Sequence, residues 1–285
     1  MNRIALAPAT VLAITLSAWS GESGAAGLRI EPGGLLIQDV PVGETRSVVE
    51  SSGIAFVVYN RDNVPHVYRI SAHRPSQAGN GKWPRGYCEI PDPSWIVPTP
   101  DVLEIPAGSS ASFDVLVRLP EDDRLHNQKW AVTLEVKSDP VKDRNVALAL
   151  YPSLQIETLT GELPDVRPFG KVAVAPATLR VNGESEPPSF GVYNNDSEPH
   201  GYRIHVVPAG GKIPASPGLS SVALPGLVVP QTESIWIEPG GMVRVSLEID
   251  QDAGPVEGLR AWEQLVFIES EAGQCTFVRL QMAAE

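Results

Sequence analysis

The feature that most constrains this chain is that it resembles itself. Residues 56–70 read Phe-Val-Val-Tyr-Asn-Arg-Asp-Asn-Val-Pro-His-Val-Tyr-Arg-Ile, and residues 190–204 read Phe-Gly-Val-Tyr-Asn-Asn-Asp-Ser-Glu-Pro-His-Gly-Tyr-Arg-Ile, with 10 of 15 positions identical at an offset of 134. The correspondence continues: Pro106-Ala-Gly108 matches Pro239-Gly-Gly241 at an offset of 133, and Trp130 matches Trp262 at 132. A slow drift of offset is what small changes in loop length produce in a duplicated unit. The 285 residues are also enough for two ordinary domains.

Within each copy, apolar residues alternate with polar ones. Phe113, Val115, Val117 and Leu119 align with Val243, Val245, Leu247 and Ile249, while Asp114, Arg118, Arg244, Ser246 and Glu248 face the other way. From Trp130 the match is one of physical type. Trp130, Val132, Leu134 and Val136 align with Trp262, Gln264, Val266 and Ile268, then Val146, Leu148 and Leu150 with Val278, Leu280 and Met282, all at an offset of 132. A period of two is that of a strand with one buried face. Turn formers stand between the strands, as in Glu31-Pro-Gly-Gly34, Asn60-Arg-Asp-Asn63 and Glu238-Pro-Gly-Gly241. The 27 prolines work against helices, since each removes a backbone donor. About seven short strands per copy make the chain all-β, with two tandem two-sheet sandwiches.

The expected organisation is a signal peptide at 1–26, a first sandwich at 27–157, a linker at 158–169 containing Gly161, Pro164 and Pro168, and a second sandwich at 170–285. Arg3 precedes an apolar run from Ile4 to Trp19, and the small residues Gly24 and Ala26 suit cleavage before Gly27. Cleavage after Ala18 and an uncleaved anchor are the alternatives, the run being shorter than the roughly 20 residues of a bilayer span. Residues 1–26 carry only Arg3 and Glu22, so the mature chain keeps the net charge of −12. Such a surface repels phosphate backbones and anionic lipid, which argues against nucleic-acid partners. The two cysteines, Cys88 and Cys275, fall in different halves. In an oxidising compartment they can join the halves by a disulfide; two free thiols are the alternative.

Little of this reads as catalysis. Gly-x-Ser-x-Gly, phosphate-cradling and dinucleotide-binding glycine motifs and His-Glu-x-x-His are all missing from the sequence, so no cofactor or metal is expected. His66 and His200 sit near Asp and Asn residues in both copies, which points to a hairpin or interstrand turn capped by side chains. The spacings His66 to His73 and His200 to His205 are odd, and so place each pair on opposite strand faces. Glu121-Asp122-Asp123 lacks the pattern of a calcium loop and reads as a solvated turn. An enzyme would need a deep cleft with converging carboxylates or histidines. The long excursions at Pro75–Pro93 and Pro208–Pro230 are candidates for recognition. Trp83, Tyr87 and Trp95 around the first could bind a protein partner or stack on carbohydrate, if they are exposed together.

In each copy an opening strand ends in proline (Leu28-Arg-Ile-Glu-Pro32, Val172-Ala-Val-Ala-Pro176), a strand ends in Asn60 or Asn194 before a proline, and Pro-x-Gly follows; in the first copy the next apolar strand closes at Leu119-Pro120. This order resembles bacterial immunoglobulin-like modules of the superfamily that includes abnormal-spindle-type (ASH), alpha-galactosidase-associated and pilus-chaperone-like sandwiches. The resemblance implies an exported, non-catalytic structural or protein-interaction role in the periplasm or outside the cell. Pilus-assembly chaperones also have two such domains, and Val146, Leu148 and Leu150 resemble the alternating strand they lend to a subunit. Two departures weaken that alternative: the strand recurs in the second copy, and the paired basic cleft residues find no match.

Overall fold

The structure is a computed structural model describing residues 27–78, 83–140, 147–161, 167–181, 187–211, 213–223, 226–250 and 261–283; the expected signal peptide lies outside these residues. In the first half the strands are β1 (Leu28–Glu31), β2 (Gly34–Val40), β3 (Thr45–Ser47), β4 (Phe56–Asn60), β5 (His66–His73), β6 (Cys88–Glu89), β7 (Ile96–Thr99), β8 (Val102–Ile105), β9 (Ser110–Arg118), β10 (Lys129–Ser138), β11 (Ala149–Leu150) and β12 (Ser153–Thr158). They form a small sheet, β1-β4-β9-β3 with β7 also on β9, and a large sheet, β2-β12-β10-β5-β8 with β6 and β11 also on β10.

In the second half come β13 (Val172–Ala175), β14 (Thr178–Val181), β15 (Ser189–Asn194), β16 (His200–Pro208), β17 (Ser220–Ser221), β18 (Val228–Pro230), β19 (Ser234–Ile237), β20 (Met242–Ile249), β21 (Ala261–Ser270) and β22 (Cys275–Ala283). Their sheets are β13-β15-β20-β18 and β14-β22-β21-β16-β19, with β17 on β21. The two halves share one plan. In each, the opening strand pairs antiparallel in the small sheet, passes a cis X-Pro bond (Glu31–Pro32, Ala175–Pro176), and then pairs parallel to the last strand of the large sheet. The chain is thus all-β, two immunoglobulin-like sandwiches in tandem, as the repeat leads one to expect.

Each half closes its own core. Phe56 stacks on Phe113 with ring centroids 5.3 Å apart, among Val58, Val115, Trp130, Val132 and Leu154. Phe190, Tyr202, Val245, Leu247, Ile268 and Leu280 fill the second core. Among the described residues the one α-helix, α1 (Val48–Ser52), begins where the Ser47 side chain accepts the Glu50 N–H and stops at Gly53, whose φ of 72° suits glycine.

The repeated Asn-x-Asp-x-x-Pro-His segment is a corner between sheets. It joins β4 to β5 and β15 to β16, strands that lie in opposite sheets of their sandwich, which excludes a hairpin. Buried Asn60 donates through Nδ2 to the carbonyls of Val64, Ile105 and Pro106, and its Oδ1 accepts the Asp62 N–H at 3.0 Å. Asn194 donates to Glu198 and Ile237 carbonyls and accepts the Asp196 N–H. His66 Nε2 lies 3.1 Å from Asp62 Oδ2, and His200 Nε2 3.2 Å from Asp196 Oδ2. These side chains complete the turn backbone, the structural role expected of them.

One alignment changes. Trp130 sits opposite Ile156 and Trp262 opposite Met282, so β22 corresponds to β12 and Leu280 to Leu154, not to Leu148. Alternation alone cannot tell registers that differ by an even number of residues, and Val146-Ala-Leu-Ala-Leu150 alternates as well as Leu154-Gln-Ile156 does.

Candidate functional site

The strands β10, β12, β21 and β22 are buried on both faces along much of their length. In β10 and β12, Trp130, Val132, Leu134, Leu154 and Ile156 point into the first core, while Lys129, Ala131, Gln155 and Glu157 are buried on the opposite face. In β21 and β22, Val266, Ile268, Val278 and Leu280 serve the second core, while Glu263, Leu265, Phe267, Phe277 and Arg279 are buried on theirs. These outer faces meet each other. Leu36, Tyr87 and Ala131 of the first half pack with Ala209, Ile213, Leu265, Phe267 and Phe277 of the second. Fully burying a side chain the size of Leu36 or Phe277 is worth about 2 kcal/mol, so this seam adds its own apolar driving force.

Beside the apolar part lies a buried charge cluster. Arg279 donates from Nε and Nη2 to the two oxygens of Glu157 at 2.6 and 2.7 Å, and from Nη1 to Glu263 Oε1 at 2.5 Å and the Pro214 carbonyl at 3.0 Å. The Tyr87 hydroxyl donates to Glu157, as does Gln38 Nε2 at 3.0 Å. Ser216 and Gln281 donate to Glu263 Oε2 at 2.6 and 2.9 Å. The fork of Arg279 thus binds Glu157 across the seam in two places and Glu263 on its own sheet.

Protonation follows from this geometry. Burial pushes the Glu157 carboxyl up, but the Arg279 charge and its hydrogen bonds outweigh that and hold it down at about 2. Burial works against the Arg279 cation, and the facing carboxylates more than restore it. Two carboxylates do converge here, which is the arrangement an acid–base enzyme would need. Glu157, however, is held ionised and has its oxygens occupied by donors, so it cannot serve as a general acid near neutral pH.

A cavity of about 190 Å³ opens beside the cluster, lined by Gln38, Asp39, Lys129, Arg180, Ser216 and Arg279 among others. Lys129 Nζ is buried, has no hydrogen-bond partner among the described residues and lies 4.7 Å over the Phe277 ring. Burial pulls this amine down to about 8, with Glu157 pulling the other way. Asp39 is pushed up by burial.

The residues singled out from sequence do not gather. Trp83 is 37% exposed and donates from Nε1 to the Tyr87 carbonyl; Tyr87 is 4% exposed and sits in the seam; Trp95 packs on Trp130 at 5.7 Å against the first core. They form no common platform for a sugar. Val146 lies outside the described residues. Leu148 is half-buried, and Leu150 is buried and paired to Val136 of β10. Cys88 and Cys275 are free, half-buried thiols on opposite sides of the seam. Asp122 caps a short turn by accepting the Arg124 N–H. On the outer face of the first large sheet, Ser71 Oγ lies 2.8 Å from His73 Nε2, and Glu135 Oε2 approaches the same nitrogen at 3.6 Å. A nucleophile relay needs the carboxylate on the other ring nitrogen. Among the described residues no group of three or more His, Cys, Asp or Glu could hold a metal ion, and no helix is long and apolar enough to cross a membrane.

Alternation assigns the seam residues to the face of each strand opposite the core, where it reads them as exposed and does not single them out. The signal was there in β21, whose Trp-Glu-Gln-Leu-Val-Phe-Ile run is apolar on both faces, as in strands covered on both sides.

No family model matches the chain, and no curated protein matches it. Solved structures do. A protein of unknown function from Porphyromonas gingivalis W83 is similar at 13% identity, covering 90% of this chain and 100% of that one, with a TM-score of 0.35. An ASH / PapD-like domain of human CEP192 is similar at 12% identity over 50% of this chain and 94% of its own, with a TM-score of 0.35. The Salmonella enterica SafA pilin in complex with the SafB chaperone gives 11% identity over 92% and 98%, with a TM-score of 0.33.

Proposed function

We propose that this chain is an exported, non-catalytic interaction protein of the bacterial cell envelope, in which two sandwiches are held as one body so that partners meet a fixed surface. The observation that carries this reading is the seam. A desolvated Glu157–Arg279–Glu263 cluster flanked by an apolar cluster resists hinge motion, because opening it separates partners that are satisfied only when together. The −12 charge and the leader-like run at Ile4–Trp19 support export and argue against nucleic acid. Protein partners can meet sheet edges such as β8 and β19, each the end of its large sheet, and β19 presents Trp236, 61% exposed.

Strand donation of the pilus-chaperone kind needs a strand with a free edge. Of the run Val146–Leu150 that resembles it, Ala149 and Leu150 form a two-residue strand, β11, paired to β10, and the strand that follows, β12, is paired on both sides, with β10 and with β2; so short an edge weighs against that alternative. The experiment is fractionation of the producing cell, followed by in-cell cross-linking of the tagged chain and of its Trp236→Ala variant. A chain found in the envelope with a discrete cross-linked partner, weakened in the variant, supports the reading. Retention in the cytoplasm, or no cross-link beyond those of an unrelated tagged sandwich protein, overturns it.

A further inference from the structure

The seam brings together two groups that no part of this interaction role uses. Cys88 stands at the start of β6 beside Trp130 of β10, and Cys275 at the start of β22 opposite Glu269 of β21. The Cys275 Sγ accepts the N–H of Gly86, two residues before Cys88, at 3.2 Å. Gly86 has a φ of 87°, and a Cβ there would stand 2.5 Å from Phe277 Cδ1. Glycine at 86 therefore lets the strand bearing Cys275 lie directly against the backbone that leads into Cys88. Cys275 is near enough for its charge to act on the Cys88 thiol. Neither cysteine is repeated: β17, the counterpart of β6, places Ser220 beside Trp262 where β6 places Cys88 beside Trp130.

We propose that Cys88 and Cys275 form an intramolecular disulfide that staples the two sandwiches across the seam, made by exchange with the disulfide of an external oxidant. Cys275 attacks first. Burial raises both thiols, but the Gly86 N–H and the Arg85 guanidinium favour the thiolate of Cys275. That thiolate displaces one sulfur of the donor disulfide, which leaves as a thiolate and takes up a proton. Cys88, having lost its own proton, attacks the Cys275 sulfur of the mixed disulfide and expels the second donor sulfur. Two electrons and two protons pass to the donor, which departs as the dithiol, or as two molecules of thiol where the donor is a small disulfide. The free thiols of the present structure are the reduced form.

The test uses the full chain, reduced and then exposed to oxidised glutathione at pH 8. The expected product is a monomer lighter by two hydrogen atoms, with both thiols lost to alkylation in denaturant and a protease fragment containing Cys88 joined to one containing Cys275. Formation should speed about tenfold per pH unit below the thiol pKa. Cys88→Ser and Cys275→Ser, checked for folding by circular dichroism, should each accumulate a glutathione adduct in place of the cross-link. Two alkylatable thiols after exchange, a persistent adduct on the unmutated chain, or a disulfide-linked dimer would each overturn the proposal.

Discussion

At the corner between sheets, Asn60 in the first half and Asn194 in the second bind equivalent backbone groups, and each is followed by an Asp–His contact of the same length to within 0.1 Å. At the seam the same strand positions carry unrelated side chains. Ala131 stands where the second half has Glu263, Lys129 where it has Ala261, and Ser153 where it has Arg279. The corner is what each sandwich needs to close, and so both copies retain it. The seam joins unlike faces, so it is a complementary pairing and not the self-complementary one that two identical copies would make. Shared residues therefore report on folding, and the unshared ones on how the halves are joined.

The sharpest way to break this contrast is Arg279→Met. It leaves Glu157 and Glu263 buried without their cation, and about 3–5 kcal/mol of stability should be lost in urea unfolding. Adding Glu157→Gln and Glu263→Gln should recover most of it. If Arg279→Met alone costs under about 1 kcal/mol, the cluster does not hold the seam.

Next in size come the corners. Asn60→Ala and Asn194→Ala should each cost about 2 kcal/mol, since each strips donors from buried carbonyls. Unequal losses would mean that the two corners are not equivalent.

Lys129→Met should stabilise the fold by about 1–3 kcal/mol at pH 7, because it removes a buried ammonium with no hydrogen-bond partner among the described residues. The sign is fixed by the shift. The amine is depressed from 10.5 to about 8 in the folded chain, so the native protein gains stability as pH rises between those values, and the advantage of the variant shrinks over the same window. Glu157 shifts stability with the same sign in a lower window: its carboxyl is depressed from 4.5, so its contribution is full above that value and is lost as pH falls through about 2. Thermal melts across pH for both chains check both windows.

The smallest effect belongs to Trp236→Ala, within about 0.5 kcal/mol of the parent in stability, because the ring is largely exposed. A large loss in the same unfolding assay would place Trp236 in the fold and not on its surface.

Much of this was legible in the sequence. The duplication, the sandwich class and the core faces of β9, β10, β20 and β21 follow from identity and a period of two. The register of the last strand did not follow, because two apolar runs in the first half satisfy the same alternation. The seam did not follow either. Arg279 and Glu157 are 122 residues apart, and in sequence each reads as an ordinary outward-facing charge on a strand. Only strand pairing shows that outward, in these sheets, means toward the other half. The nearness of Cys88 and Cys275 was hidden for the same reason, since it depends on Gly86 admitting Phe277.

The parallel strand that opens each large sheet has a mechanical consequence. β2 runs alongside β12 in the same direction, so tension between the start of β2 and the end of β12 pulls the two strands past each other lengthwise. Every hydrogen bond of that ladder is then strained at once, where an antiparallel hairpin would peel open one bond at a time. Because β14 lies alongside β22 in the same way, a molecule pulled at its ends has a shear clasp in each half.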